Sequence, residues 1–252
     1  MSAPAHAVVT GGGSGIGLAI ARGLLQSGRQ VTIMGRSAER LQAALADLPG
    51  ARALECDIGG DDAVRETFAA AAAKDGPVQI LVNCAGTAKT APFEKTTDAL
   101  WNELWRTNVI GAVHTSRAVL PAMRTLASGR IVNIASTASL KGYHYVSAYT
   151  ATKHALLGMT RALALELAGT SITVNAVCPG YTDTQIIRDA VSTIVAKTGR
   201  SEADALATFT GTNPQARLID PDEVSATVQW LISEGAKSVT GQALVVAGGE
   251  IM

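Results

Sequence analysis

The chain has 252 residues, 47% of them hydrophobic, with formal net charge 0 at pH 7 and mean hydropathy +0.21. That length suits one large α/β domain or two small ones, with apolar content ample for a core. Balanced charge gives no electrostatic case for nucleic acid or an anionic membrane, and no apolar run reaches the length of a membrane span.

The N-terminal MSAPAHAVVT lacks the basic and long apolar regions of a signal peptide. Short apolar runs then alternate with helical segments. HAVVT, QVTIMG, ARALEC, QILVNCA, RIVNIAS, ITVNAVC and QALVVA read as strands. Helices are predicted to start near Ile16, Ala38, Asp61, Thr97, Val146 and Pro221. This alternation predicts one Rossmann-like, doubly wound parallel sheet of about seven strands over residues 1–252. The strands are rich in Val, Ile and Leu, as strands covered on both faces require. Residues 182–214 break the rhythm with helical material punctuated by Gly199 and Gly211. An insertion after a strand's carboxyl end reads as a substrate lid, against a plain peripheral helix pair. Ile187 and Val191 are its candidate substrate-facing residues.

The first strand runs into Thr10-Gly11-Gly12-Gly13-Ser14-Gly15-Ile16-Gly17 and then a helix. Glycines allow a tight turn and close approach of a pyrophosphate to backbone amides, and a helix N-terminus favours negative charge. An acidic side chain at the end of the second strand would hold a ribose 2′-hydroxyl. Residues 18–38 contain no Asp or Glu, and Arg36-Ser37 stands there instead. A guanidinium fork with a hydroxyl beside it suits a 2′-phosphate, so NADP is expected over NAD.

Tyr149 and Lys153 are one helical turn apart, so the ammonium is expected to lower the phenol's pKa and equip it for proton exchange. Ser136, at the end of RIVNIAS, can place a hydroxyl in the same crevice. His144 and His154 flank this stretch and read as surface or pocket-wall residues. Tyr143, Tyr145 and Tyr181 are divided evenly between pocket lining and packing, and Trp101 with Trp105 reads as helix or subunit packing. Cys56, Cys84 and Cys178 are far apart and have no metal or disulfide spacing. Reduced cysteines and the missing signal peptide point to the cytoplasm.

Thr10-Gly11-x-x-x-Gly15-x-Gly17, Asn83-Cys84-Ala85-Gly86, Asn108, Ser136, Tyr149-x-x-x-Lys153 and Pro179-Gly180 together resemble the short-chain dehydrogenase/reductase family over nearly the whole chain. The resemblance implies Ser136, Tyr149 and Lys153 as catalytic triad, with Asn108 completing a proton relay through a water. It implies Asp57, in Cys56-Asp57-Ile58, at the adenine, and Asn83, Ala85 and Gly86 beside the adenine ribose. Pro179, Gly180, Thr182 and Thr184 would grip the nicotinamide end, and Tyr149 and Lys153 its ribose. Cys84 departs from the family's usual second asparagine. Within the family the chain looks most like 3-oxoacyl thioester reductases, including polyketide ketoreductases and hydroxyacyl-CoA dehydrogenases. Arg188, Lys197, Arg200 and Arg217 then suggest a basic rim for a CoA or carrier-protein substrate. The alternatives are a reductase of free ketones or secondary alcohols and, more remotely, a non-enzymatic dinucleotide sensor. The resemblance also implies a homotetramer; the helices from Thr97 and Val146, apolar on more than the sheet-facing side, are its expected interface. The four histidines lack ligand spacing, and no metal is expected.

Overall fold

A computed structural model describes residues 4–252; the first three residues of the stretch read for a targeting signal lie outside the described part. Seven parallel strands form one sheet in the order β3-β2-β1-β4-β5-β6-β7. They are β1 (His6–Thr10), β2 (Gln30–Gly35), β3 (Arg52–Glu55), β4 (Val78–Asn83), β5 (Gly129–Ile134), β6 (Ile172–Pro179) and β7 (Ala243–Val246). The order reverses between β1 and β4, which opens a crevice at the carboxyl ends of these strands.

The helices are α1 (Gly15–Gln26), α2 (Ala38–Leu45), α3 (Asp61–Asp75), α4 (Asp98–Trp105), α5 (Gly111–Met123), α6 (Ser147–Leu167), α7 (Gln185–Thr198), α8 (Glu202–Thr210) and α9 (Pro221–Leu231). One buried cluster fills each side of the sheet. Val9, Ile33 and Val82 meet Ile20, Leu24 and Val228 on one face. Val8, Leu81 and Ile131 meet Phe68, Met123 and Leu167 on the other. Full burial of β5 and β6 on both faces explains why their sequences do not alternate.

The helix expected from Thr97 is not continuous. A π-helical turn at Arg106–Ile110 separates α4 from α5 and carries Asn108. Such a turn adds a residue to the helix and redirects the side chain within it. The stretch after β6 is anchored at both feet: Asp183 N–H donates to Ile219 O at 2.9 Å and Ile219 N–H to Tyr181 O at 2.8 Å. Gly199 ends α7 in the left-handed region at φ 68°, whereas Gly211 is ordinary helical backbone at φ −67°, so only the first glycine is required by its conformation.

Buried polar side chains tie the centre of the sheet to its helices. Asn83 Nδ2 donates to Asn133 Oδ1 at 2.9 Å, and Asn83 Oδ1 accepts from the Thr115 hydroxyl at 2.7 Å. Asn133 Nδ2 in turn donates to Thr160 Oγ1 at 2.8 Å. Truncating Asn83 leaves the buried Asn133 Oδ1 without its donor, while the Thr115 hydroxyl can turn to Gly111 O at 3.0 Å. Asn83→Ala is expected to cost about 1–3 kcal/mol of stability, read as a lower urea midpoint. An unchanged midpoint would remove the structural role.

Candidate active site

The crevice is a cavity of about 870 Å³ that runs from the glycine turn to the loop after β5 and the first turns of α7. At its floor, Gly11 and Gly15 adopt φ 69° and 51°, which a side chain would strain. A Cβ at Gly17 would lie 2.3 Å from Gly11 O, and one at Gly11 would lie 2.8 Å from the Ala85 Cα. The cradle is therefore bare backbone, and the first amides of α1 open onto it. Ser14 precedes α1 without capping it through its side chain, so its hydroxyl is unspent. Gly13, Ile16, Ala85, Gly86 and Ile58 line the same floor. A bare backbone cradle at a helix N-terminus fits a pyrophosphate.

Arg36 and Ser37 line the far end of the cavity. Ser37 Oγ accepts the Arg40 N–H at 3.3 Å as N-cap of α2, which leaves its proton free to donate. Arg40 also lines the cavity. Its place in the first turn of a helix starting at Ala38 was the available signal for it. Asp57 is tied to Arg106 Nη2 at 2.7 Å and accepts the Gly59 N–H at 3.0 Å. Burial alone would raise the Asp57 pKa, but these bonds and the charges of Arg106 and Arg36 outweigh it and hold the carboxyl low. Asn83 does not reach the cavity. Its amide is consumed in the network above, so of the turn expected beside the adenine ribose Ala85 and Gly86 line the cavity and Asn83 does not.

At the other end, Ser136, Tyr149 and Lys153 share the cavity wall. Ser136 leaves β5 as the cap of a 3-10 turn, its Oγ accepting the Ala138 N–H at 3.1 Å. Tyr149 and Lys153 stand one turn apart on α6, with Nζ 5.7 Å from the phenol ring centroid. The expected effect of Lys153 on Tyr149 is not what the structure shows. Burial strips water from a phenolate and pushes the Tyr149 pKa up, and a hydrogen bond with Ser136 offsets only part of that. Lys153 directs its Nζ at Ile134 O, 2.8 Å away, and burial lowers its own pKa to about 8. Both groups are held in their neutral-leaning forms by the same loss of solvent.

Asn108 lies behind this wall. Its Nδ2 donates to Thr87 O and Thr152 Oγ1, both at 3.0 Å, and its Oδ1 accepts the Thr87 N–H at 2.9 Å. Both N–H groups are spent, so only an Oδ1 lone pair remains to hold a water. Gly86 is what keeps this oxygen and Lys153 near each other: a Cβ there would sit 3.2 Å from Asn108 Oδ1 and 3.6 Å from Lys153 Nζ. Cys84 and Cys178 flank the lysine, and burial raises their thiols to about 12 and about 11, which keeps them protonated and unreactive.

Pro179, Gly180, Thr182 and Thr184 line the side of the cavity below α7. Tyr181 and Ile187 also line it, as the sequence reading expected of a substrate wall. Val191 does not. It is buried with Ala205 between α7 and α8, one helical turn beyond Ile187, and holds the pair together. Ile186 and Phe209 face the cavity instead; Phe209 packs edge-on to Tyr181 at 5.2 Å, a contact between α8 and the end of β6 with no sequence signal. The basic residues offered as a rim stand outside the cavity. Arg188 pairs with Asp183 and Arg217 with Glu223, each at 2.5 Å, while Arg200 bonds within its own helical pair. None of these arginines, nor Lys197, lines the cavity.

The short chain dehydrogenase family model matches residues 5–194. A Streptomyces coelicolor protein described, provisionally, as a ketoacyl reductase is 40% identical, with 96% of this chain and 95% of the relative covered. Galactitol 2-dehydrogenase (L-tagatose-forming) of Cereibacter sphaeroides is 38% identical, covering 97% and 94%. Among solved structures, a variant of actinorhodin polyketide ketoreductase with NADPH superposes with a TM-score of 0.93 at 38% identity, covering 98% of this chain and 97% of that one. Over these spans, with the seven-stranded sheet and the cavity at its switch point, the chain belongs to the short chain dehydrogenase family, oxidoreductases that use a nicotinamide cofactor to interconvert CH–OH and C=O groups.

Proposed function

We propose that the protein is an NADP-dependent ketoreductase acting on a 3-oxoacyl thioester carried by CoA or an acyl carrier protein. The observation that carries this reading is the convergence of the Ser136 and Tyr149 hydroxyls with Lys153 on a cavity whose far end holds Arg36 and Arg40. The ketoacyl and polyketide reductases among its relatives, one of them solved with NADPH, support it. The glycine cradle and the α1 N-terminus hold the pyrophosphate, Asp57 and Ile58 the adenine side, and Arg36, Ser37 and Arg40 the 2′-phosphate. Ala85, Gly86, Pro179, Gly180, Thr182 and Thr184 hold the nicotinamide half. When bound, the cofactor supplies the hydride.

Ser136 donates its hydroxyl to the substrate carbonyl oxygen and orients it. Tyr149 passes its phenolic proton to that oxygen as charge develops. A phenol kept protonated by burial is the form this step needs. Lys153 holds the nicotinamide ribose, and Asn108 Oδ1 seats a water that reconnects the site to solvent. Residues 182–214 act as the lid of a single domain spanning 1–252, with Ile186, Ile187 and Phe209 excluding water above the substrate.

A second reading, a free ketone or secondary alcohol as substrate, is favoured by the ion pairs that occupy Arg188 and Arg217, two of the basic residues offered for a charged carrier. A screen of NADPH oxidation separates the two. Acetoacetyl-CoA and longer 3-oxoacyl thioesters outperform cyclic ketones under the first reading and lose to them under the second.

Among the described residues no helix is long and apolar enough to cross a membrane. A cytoplasmic location is proposed from the free, largely buried cysteines. It is further proposed to be a homotetramer. α4 packs on α6, and the outer sides of these helices leave Trp105 and Leu165 41% and 79% exposed. Leu165→Glu should lower the mass seen by light scattering at micromolar concentration; a wild-type monomer contradicts the assembly.

Tyr149→Phe should leave the fold and NADPH affinity nearly intact and cut turnover by about 10²–10⁴-fold, because one proton donor is lost with little change of shape. Near-normal turnover would sink the acid role. Arg36→Ala should weaken NADPH by about 1.5–3 kcal/mol with little effect on NADH, and Arg40→Ala should act in the same direction. Equal losses for both cofactors, measured by titration of bound-cofactor fluorescence, would refute the assignment.

A further inference from the structure

A chain of hydrogen bonds enters the site from the C-terminus. Glu250 Oε1 accepts the Tyr143 hydroxyl at 2.5 Å, and Tyr143 Oη lies 2.6 Å from Thr137 Oγ1. Thr137 follows Ser136 in the chain, and both Thr137 and Tyr143 line the cavity. The Glu250 side chain is only 1% exposed, and Lys141 Nζ stands 3.1 Å from the same Oε1. Gly180 makes room for it: a Cβ there would lie 3.0 Å from Glu250 Oε2. This carboxylate was not among the residues singled out by the sequence.

The direction of each bond follows from proton counting. A carboxylate paired with an ammonium can only accept. Tyr143 has one hydroxyl proton and gives it to Glu250. The contact between Tyr143 and Thr137 must then be donated by Thr137, which agrees with its lowering effect on the Tyr143 phenol. Both protons therefore point toward Glu250 and away from the carbonyl site.

Resting on the ketoreductase reading above, we infer that Glu250 is a positioning residue for substrate selectivity, acting through Tyr143 and Thr137. By drawing both protons to itself it removes two competing donors beside Ser136. A substrate with two carbonyl groups, such as a 3-oxoacyl thioester, then finds its donors in Ser136 and Tyr149 and presents one carbonyl in one orientation. Without the acceptor, Tyr143 donates to Thr137, and the Thr137 proton turns into the cavity as a second anchor that seats the substrate the wrong way.

The experiment compares the enantiomer ratio of 3-hydroxybutyryl-CoA formed from acetoacetyl-CoA and NADPH. Glu250→Leu removes the acceptor and should lower the ratio about three- to tenfold, the discrimination one hydrogen bond supplies. Glu250→Gln keeps an oxygen in place and should hold the ratio. Tyr143→Phe, which leaves Glu250 untouched but frees the Thr137 hydroxyl, should lower it as well. Adding Thr137→Val to either low-ratio variant should restore it, which a merely structural defect would not do. Wild-type ratios in Glu250→Leu and Tyr143→Phe, or no recovery in the double variants, overturn the inference. If the wild type reduces neither acetoacetyl-CoA nor cyclic ketones, the functional reading itself falls. Proton NMR then decides the hydrogen-bond chain: a downfield hydroxyl resonance lost in both Tyr143→Phe and Glu250→Leu upholds it, and its absence from the wild type overturns it.

Discussion

The hydroxyl of Thr10 holds the crevice in shape. It accepts the backbone N–H groups of Cys84 and Ala85, both at 3.1 Å, at the point where the chain leaves β4 and where β1 has just turned away into the glycine loop. Neighbouring parallel strands diverge there because their crossovers run in opposite directions along the sheet. The two departing loops have no ladder left to satisfy their amides, and a buried side-chain oxygen takes over. Gly11 lets the two backbones come this close. The cofactor cradle, the Gly86 gap and the place of Lys153 all depend on that junction.

Desolvation governs the chemistry on the opposite wall. Tyr149, Lys153, Cys84 and Cys178 are all shifted toward their neutral forms, and for each the leading cause is burial. A ring of groups that resist charge is a setting in which a proton donor stays protonated until an oxygen beside it becomes negative. The π turn at Asn108 and its bonds with Thr87 and Thr152 then fix an amide oxygen close to this group of side chains.

The helical pair above the site is built differently from the sheet. α7 and α8 hold a small apolar cluster of their own around Ile187, Val191 and Ala205, and the segment rejoins the body at the bridge between Thr182 and Ile219. A unit with its own core and two tied feet can move as a body without unfolding. The exit of this segment is packed against the C-terminal turn: a Cβ on Gly248 would lie 2.0 Å from Asn213 Oδ1. The chain's last residues thus touch the segment's exit, the floor at Gly180 and the loop after β5.

The sequence by itself determined the strand and helix order, the glycine cradle, the Tyr149–Lys153 pair and the arginine at the end of β2. Each of these is local: a periodicity, a turn or an i,i+4 spacing carries its own physical meaning. Tertiary structure decided what depends on neighbours distant in the chain. Asn83 reads as a site residue beside Gly86, but Thr115 and Asn133 claim its amide. Val191 and Ile187 share one face of a helical wheel and both pack with Ala205, yet only Ile187 also reaches the cavity. The i,i+4 spacing alone has Lys153 lowering the Tyr149 pKa; burial and the Ile134 carbonyl reverse that. Glu250 gains its role only when the C-terminus folds back against Tyr143, 107 residues earlier in the chain. Side-chain contact and solvent loss are properties of the packed molecule, and no spacing along one strand of sequence encodes them.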